Sequence, residues 1–261
     1  MKTRVGAVGY LNARPLTWAL DQDRARWEVR YDLPAVCARL LHDGEVDLGL
    51  IPSVEFLGRP DYRLVPGVGI GSRGAVASVA LFTRMDMRDV RRIALDTSSR
   101  TSAALTRVLC ERYFRIQPAF VPEGPDLGSM LDSADAALLI GDPALETDPA
   151  ALGLQKLDLG EAWQDLTGLP FVYAAWTGRP AGLDAAGVEA LQVAQAAGVA
   201  ARQVIAREYA GADVARAARA GAYLRDNVRY GLGPDEVAGL QQFLDYAAEL
   251  GIGPQRTLEF Y

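Results

Sequence analysis

Two stretches of this chain echo one another, and that echo limits the folds open to it. Val46-Asp47-Leu48-Gly49-Leu50-Ile51-Pro52-Ser53 is matched by Ala134-Asp135-Ala136-Ala137-Leu138-Leu139-Ile140-Gly141-Asp142. In each, an Asp near the start precedes a short apolar run that stops at a turn-forming pair and a short helix. Short apolar runs bounded by turn signals suit strands covered on both faces. Two such units, too far apart for a solenoid, imply two α/β lobes of similar plan that present strand ends to a shared cleft. The length of 261 residues allows one large domain or two small ones.

The rest of the chain fits that plan. Strands are expected at residues 5–10, 29–33, 46–53, 64–70, 76–82, 92–95, 118–121, 134–140, 155–159 and 169–176. Helices are expected at 34–42, with Gly44 as its stop, and at 103–114, 126–131 and 160–168. Beyond residue 180 the chain reads as three Ala-rich helices, 184–209, 214–230 and 234–250, and a short apolar tail. The charged, aperiodic stretch 84–92 reads as the link into the second lobe, and Thr177-Gly178-Arg179-Pro180 as the return. This places residues 1–88 and 178–261 in the first lobe and 89–177 in the second.

The densest chemistry lies in Asp96-Thr97-Ser98-Ser99-Arg100-Thr101-Ser102, between an apolar run and a helix start. Free backbone N–H groups and the positive helix end favour an anion there, and hydroxyls add donors without bulk. An ordinary N-cap needs one such residue, whereas this stretch carries five Ser or Thr and an Arg. Thr97, Ser99, Arg100, Thr101 and Ser102 are therefore candidate anion binders, although Arg100 also suits a solvated helix face. Asn12 falls just past the first strand, where open α/β sheets bind ligands. Ser53 can cap a short helix. Ser78 is an isolated hydroxyl in an apolar strand, which a backbone acceptor would equally satisfy. Asp142 follows a strand end as a carboxylate for proton transfer, but Asp before Pro is also a routine helix cap.

Composition narrows the function classes. The net charge is −6 with no basic run, which disfavours a nucleic-acid partner. Cys37 and Cys110 sit in helical apolar patterns and read as buried small hydrophobes in a reducing compartment. His42 is the sole histidine, which removes His-rich metal sites and most Ser-His schemes. It falls in the last turn of a helix and reads as a surface or cap residue. No run approaches 18 apolar residues and the start lacks a secretion-signal pattern, so a soluble cytoplasmic protein with no membrane contact is expected. An exposed face of the tail helices could pair with a copy, leaving a homodimer open.

Five ordered motifs carry a resemblance. Gly9-Tyr10-Leu11-Asn12 with Arg14-Pro15, Gly49-Leu50-Ile51-Pro52-Ser53, Ser99-Arg100-Thr101-Ser102, Ile140-Gly141-Asp142 and Thr167-Gly168-Leu169-Pro170-Phe171-Val172-Tyr173 resemble the chorismate dehydratases of the futalosine route to menaquinone. That family is similar in fold to the type 2 periplasmic binding proteins. The resemblance implies a two-lobed α/β fold with a ligand cleft between the lobes and a helical C-terminal segment. It implies a hydro-lyase that converts chorismate to 3-[(1-carboxyvinyl)oxy]benzoate with no metal or organic cofactor. Asn12 and Asp142 would then be catalytic, and Ser53, Ser78, Thr97, Ser99, Arg100, Thr101, Ser102 and Gly141 would bind substrate. A sister family with the same fold forms dihydroxynaphthoate and relies on a cleft histidine, which the position of His42 disfavours. A cytoplasmic sensor or small-carboxylate-binding protein of the same fold is the rival from another class.

Overall fold

The computed structural model describes residues 2–261 and contains two five-stranded sheets. The chain begins with β1 (Thr3–Val8), α1 (Arg14–Thr17), β2 (Trp27–Asp32), α2 (Pro34–Asp43), β3 (Leu48–Pro52) and β4 (Arg63–Ser72). It continues through β5 (Val79–Thr83), β6 (Arg92–Asp96), α3 (Arg100–Leu109), β7 (Ala119–Glu123), α4 (Leu127–Ser133), β8 (Ala136–Ile140), α5 (Gly141–Glu146), β9 (Gln155–Asp158) and α6 (Leu159–Thr167). Last come β10 (Phe171–Gly178), α7 (Ala185–Ala200), α8 (Arg202–Ala210), α9 (Val214–Asp226) and α10 (Pro234–Glu249).

The first sheet has the order β2-β1-β3-β10-β4 and the second β7-β6-β8-β5-β9. The orders match position for position, and β3 and β8, the echoed stretches, occupy the same central place. Each sheet holds one antiparallel strand, β10 in the first and β5 in the second. Both are contributed by the chain as it crosses between lobes. The crossings therefore come earlier than residues 88 and 178. The chain leaves the first sheet after Ser72 and returns at Phe171. An apolar run marks a buried strand without saying which sheet it joins, because either sheet buries it equally well.

The crossing between β4 and β5 is tightly held. The Asp158 carboxylate accepts the N–H groups of Val76 (3.0 Å) and Ala77 (2.6 Å) in that segment. It also caps α6 by accepting from Gly160 and Glu161 (2.9 and 3.1 Å). Ala77 has φ +64°, in the left-handed region that a Cβ disfavours. At the return crossing, Trp163 of α6 packs edge-on against Phe171 of β10 (5.3 Å) and Phe243 of α10 (6.1 Å). All three are almost fully buried, so the lobes share core there as well as chain.

The helix expected at 184–209 is two helices, broken at Ala201. A Cβ on Gly198 would lie 1.8 Å from the Pro15 carbonyl oxygen, so α7 ends pressed against the start of α1. The chain then turns so that α8 packs on α9. Alanine favours helix without recording that change of direction. Gly44 stops α2 in the left-handed conformation (φ +75°), as its sequence position implies. Cys37 and Cys110 are buried free thiols. Among the described residues no helix is long and apolar enough to cross a membrane.

Candidate active site in the cleft between the lobes

The carboxyl ends of β1, β3, β6 and β8 converge on one cavity. Val8, Tyr10 and Asn12 line it after β1, Leu50 and Pro52 on β3, and Ile140 and Gly141 after β8. Ser99 and Ser102 reach it from the start of α3, and Tyr173 and Ala174 from β10. The cavity volume is about 50 Å³. Small-molecule sites typically measure about 300–1,000 Å³, so the lobes stand close together over it.

Each wall has a local cause. Tyr10 leaves β1 extended and starts a turn at Leu11–Ala13 that carries Asn12 over the strand end. Pro15 then fits the first turn of α1. Gly141 has φ +66°, and a Cβ there would stand 3.0 Å from the Tyr10 ring. Only glycine lets β8 approach that ring so closely. Ser99 is the N-cap of α3, where its hydroxyl accepts from Ser102 N–H (3.4 Å) and donates to Ser102 Oγ (2.8 Å). The first-turn N–H groups of α3 have no intrahelical acceptor, and the Ser99 side chain takes that of Ser102.

None of the described residues lining the cavity is a carboxylate, histidine, lysine or arginine. Its polar groups are neutral donors. Burial pushes the Tyr10 phenol above its ordinary value, and the nearby Asp96 and Asp142 carboxylates add to this. Burial likewise holds Tyr173 well above the ordinary range. Both tyrosines are therefore hydroxyl donors at neutral pH and not bases.

The structure brings Asn12, Ser99, Ser102 and Gly141 together and puts the other candidates elsewhere. Ser53 Oγ donates to the Val172 carbonyl (2.7 Å), and Thr101 Oγ1 accepts from Val54 N–H (3.1 Å). These two hydroxyls lie 3.4 Å apart and join the first lobe to the second, away from the cavity wall. Ser78 is buried with its Oγ 2.7 Å from the Tyr223 hydroxyl of α9. Thr97 is exposed on another face, beside Phe120 and Pro122. Arg100 points outward and donates to Glu55 Oε1 (2.8 Å). These departures share one reason: consecutive residues at a strand–helix junction point in different directions, so a dense stretch cannot all face one ligand.

Asp142 lies outside the cavity lining and is committed across the lobes. Its Oδ1 accepts the Leu11 N–H (3.0 Å), capping the turn that carries Asn12. Burial pushes its carboxyl up, opposed by that hydrogen bond. The geometry makes Asp142 a latch on the Asn12 turn.

His42 is neither a surface residue nor a cleft residue. Its Nε2 lies 2.8 Å from Glu55 Oε2 and its Nδ1 2.6 Å from the Tyr62 hydroxyl. Among the described residues no three His, Cys, Asp or Glu side chains group as metal ligands would.

Asp96 and Ser98, at the end of β6, were not candidates from sequence. Asp96 Oδ1 accepts Ser98 N–H (2.8 Å), while Asp96 Oδ2 and Ser98 Oγ are buried with no hydrogen-bond partner among the described residues. Burial raises the Asp96 carboxyl. The available signal was the Asp itself, a charge closing an apolar strand.

A family model described as menaquinone biosynthesis matches residues 3–249. The chain belongs to this menaquinone-biosynthesis family. A chorismate dehydratase of Thermus thermophilus is 32% identical over 197 residues, which are 67% of this chain and 69% of that protein. Solved structures agree in fold. A protein from Archaeoglobus fulgidus superposes with a TM-score of 0.75 at 19% identity, covering 96% of this chain and 98% of the other. The periplasmic aliphatic sulphonate binding protein SsuA of Escherichia coli gives 0.64 at 19% identity, with coverage of 98% and 89%. This family member thus has the two-lobed periplasmic-binding-protein-like fold.

Proposed function

We propose that this protein is a hydro-lyase that dehydrates chorismate to 3-[(1-carboxyvinyl)oxy]benzoate in the reducing interior of the cell. The observation that carries this reading is the cleft lining itself: neutral donors, a helix N-terminus and apolar walls, with no protein base. Chorismate is a dianion. One carboxylate fits the start of α3, where the Ser102 hydroxyl, oriented by the Ser99 hydroxyl that donates to it, supplies a donor and the helix end supplies positive potential. The apolar ring fits against Ile70, Val79 and Ile140.

The reaction breaks the ring C–H bond beside the ether oxygen and the adjacent C–OH bond, and the ring becomes aromatic. With no carboxylate or histidine in the lining, the proton goes to the substrate's own enol-ether carboxylate. The electron pair of the broken C–H bond forms the new ring double bond, and hydroxide departs and leaves as water with that proton. Asn12 donates a hydrogen bond to the departing oxygen, a stabilisation that needs no change of charge. Aromatisation supplies the driving force, so positioning and one donor suffice. The likeness to the Thermus thermophilus relative supports the same substrate.

The test is direct. Purified protein with chorismate and a chelator is expected to give the aromatic enol ether, followed by absorbance and chromatography. Chorismate recovered intact, with a binding signal alone, would make the protein a ligand-binding or sensor member of the fold.

A further inference from the structure

The outer face of α3 borders a second cavity, of about 710 Å³. Its walls come from the turn after β3 (Val54, Leu57), from α3 and from the segment after α10 (Ile252, Pro254). Both lobes and the C-terminal segment therefore contribute walls to this open groove. The volume falls within the range of small-molecule sites, about 300–1,000 Å³.

Its charge is one-sided. Arg100, Ala103 and Arg107 follow helical spacing along one face of α3, with an apolar step between two guanidinium groups. Arg107 stands at the boundary with a neighbouring concavity, over the Phe120 ring of the latter (4.5 Å), and, among the described residues, makes no ion pair. Arg100 gives one nitrogen to Glu55 and keeps the rest of its guanidinium half-exposed. The one acidic wall residue, Glu55, is 6% exposed and already has both oxygens engaged, by Arg100 and His42. It fixes Arg100 in place and leaves nothing to hold a cation. A third cation, Arg256, is spent on the Phe56, Arg59 and Pro60 carbonyls and forms wall. The remaining surface is aliphatic.

We propose that this cavity is a second ligand site, separate from the cleft, for an organic anion with an apolar body. Arg100 and Arg107 hold the anionic group, and Leu57, Ala103 and Ile252 cover the apolar part. The site shares α3 with the cleft but none of the cleft's lining residues. It stands independently of the chorismate reading.

The test uses the full chain and 8-anilinonaphthalene-1-sulfonate, a fluorescent apolar anion. Saturable binding of one probe per chain is expected. Arg107→Glu is expected to weaken it at least about tenfold, the scale of turning one charge-assisted contact into repulsion. Ala103→Trp, which puts an indole between Arg100 and Arg107, is expected to weaken it as strongly. Circular dichroism checks that each variant is folded, and the exposed Arg107 position keeps the test usable if the Trp variant is not. Saturating probe is also expected to raise the Tm of the unaltered protein and not that of R107E. Probe binding that is absent, or equally tight in both variants, would overturn the proposal.

Discussion

Asn12 reaches the cleft from one lobe, while Ser99 and Ser102 reach it from the other. Removal of the Asn12 amide therefore tests the chemistry with little effect on packing. Asn12→Ala is expected to lower kcat/KM for chorismate by about 10²-fold, the scale of losing one donor to a developing charge. Turnover near that of the unaltered protein would remove Asn12 from the mechanism. Asp96 makes a different prediction. Its carboxyl is raised by burial, so its charged form is disfavoured in the fold. The fold bears that penalty at neutral pH and is relieved of it as pH falls through the raised value. Asp96→Asn keeps the acceptor for Ser98 N–H and removes the charge. The amide nitrogen takes the place of the partnerless oxygen, so the gain comes from the lost buried charge, and D96N is expected to be more stable than the unaltered protein at pH 7. That gain should shrink toward zero in acid. Urea unfolding at several pH values measures it, and a gain that is constant with pH would contradict the assignment.

Among the elements, the crossing segment carries the most local cost. Val76 and Ala77 have no strand partner, and Ala77 sits at positive φ. Asp158 takes both of their N–H groups while it caps α6, so one carboxylate sets the angle between crossing and helix. Asp158→Ala is expected to destabilise by about 2–3 kcal/mol: about 1 for the cap and about 1 for each hydrogen bond to the crossing, with partial rescue by water. A loss below about 1 kcal/mol in denaturant titration would mean that the crossing is held by other contacts. Asp142 has the analogous place in α5, where it caps the Asn12 turn of the opposite lobe. Elements that look like separate helix starts in the chain thus act between lobes.

For the molecule as a whole, the cleft volume of about 50 Å³ is too small for a substituted ring to enter. The lobes must part for substrate and close again, turning at the crossings near residues 73–78 and 168–170. Solution scattering is expected to show a larger radius of gyration for the free protein than with 3-(carboxymethoxy)benzoate, a stable product analogue. Superimposable profiles would count against the motion. Closure also explains how a cleft without a cation can act on a dianion: once water is excluded, helix-end and hydroxyl donors act more strongly.

The sequence determined the lobe plan and the strand ends that carry chemistry. The paired Asp-led runs predicted β3 and β8, and these occupy equivalent places in the two sheets. Asn12, Ser99, Ser102 and Gly141 were legible because strand–turn–helix junctions have a recognisable composition, and all four line the cavity. Tertiary structure alone decided which sheet receives β5 and β10, since an apolar strand is equally buried in either. It also decided which hydroxyls face the cleft. Ser53, Ser78 and Thr101 are spent on joining lobes and tail, because a buried hydroxyl must find a partner and the nearest one lay in another element. Chain order fixes which residues are polar, while direction and partner are set only when distant segments pack.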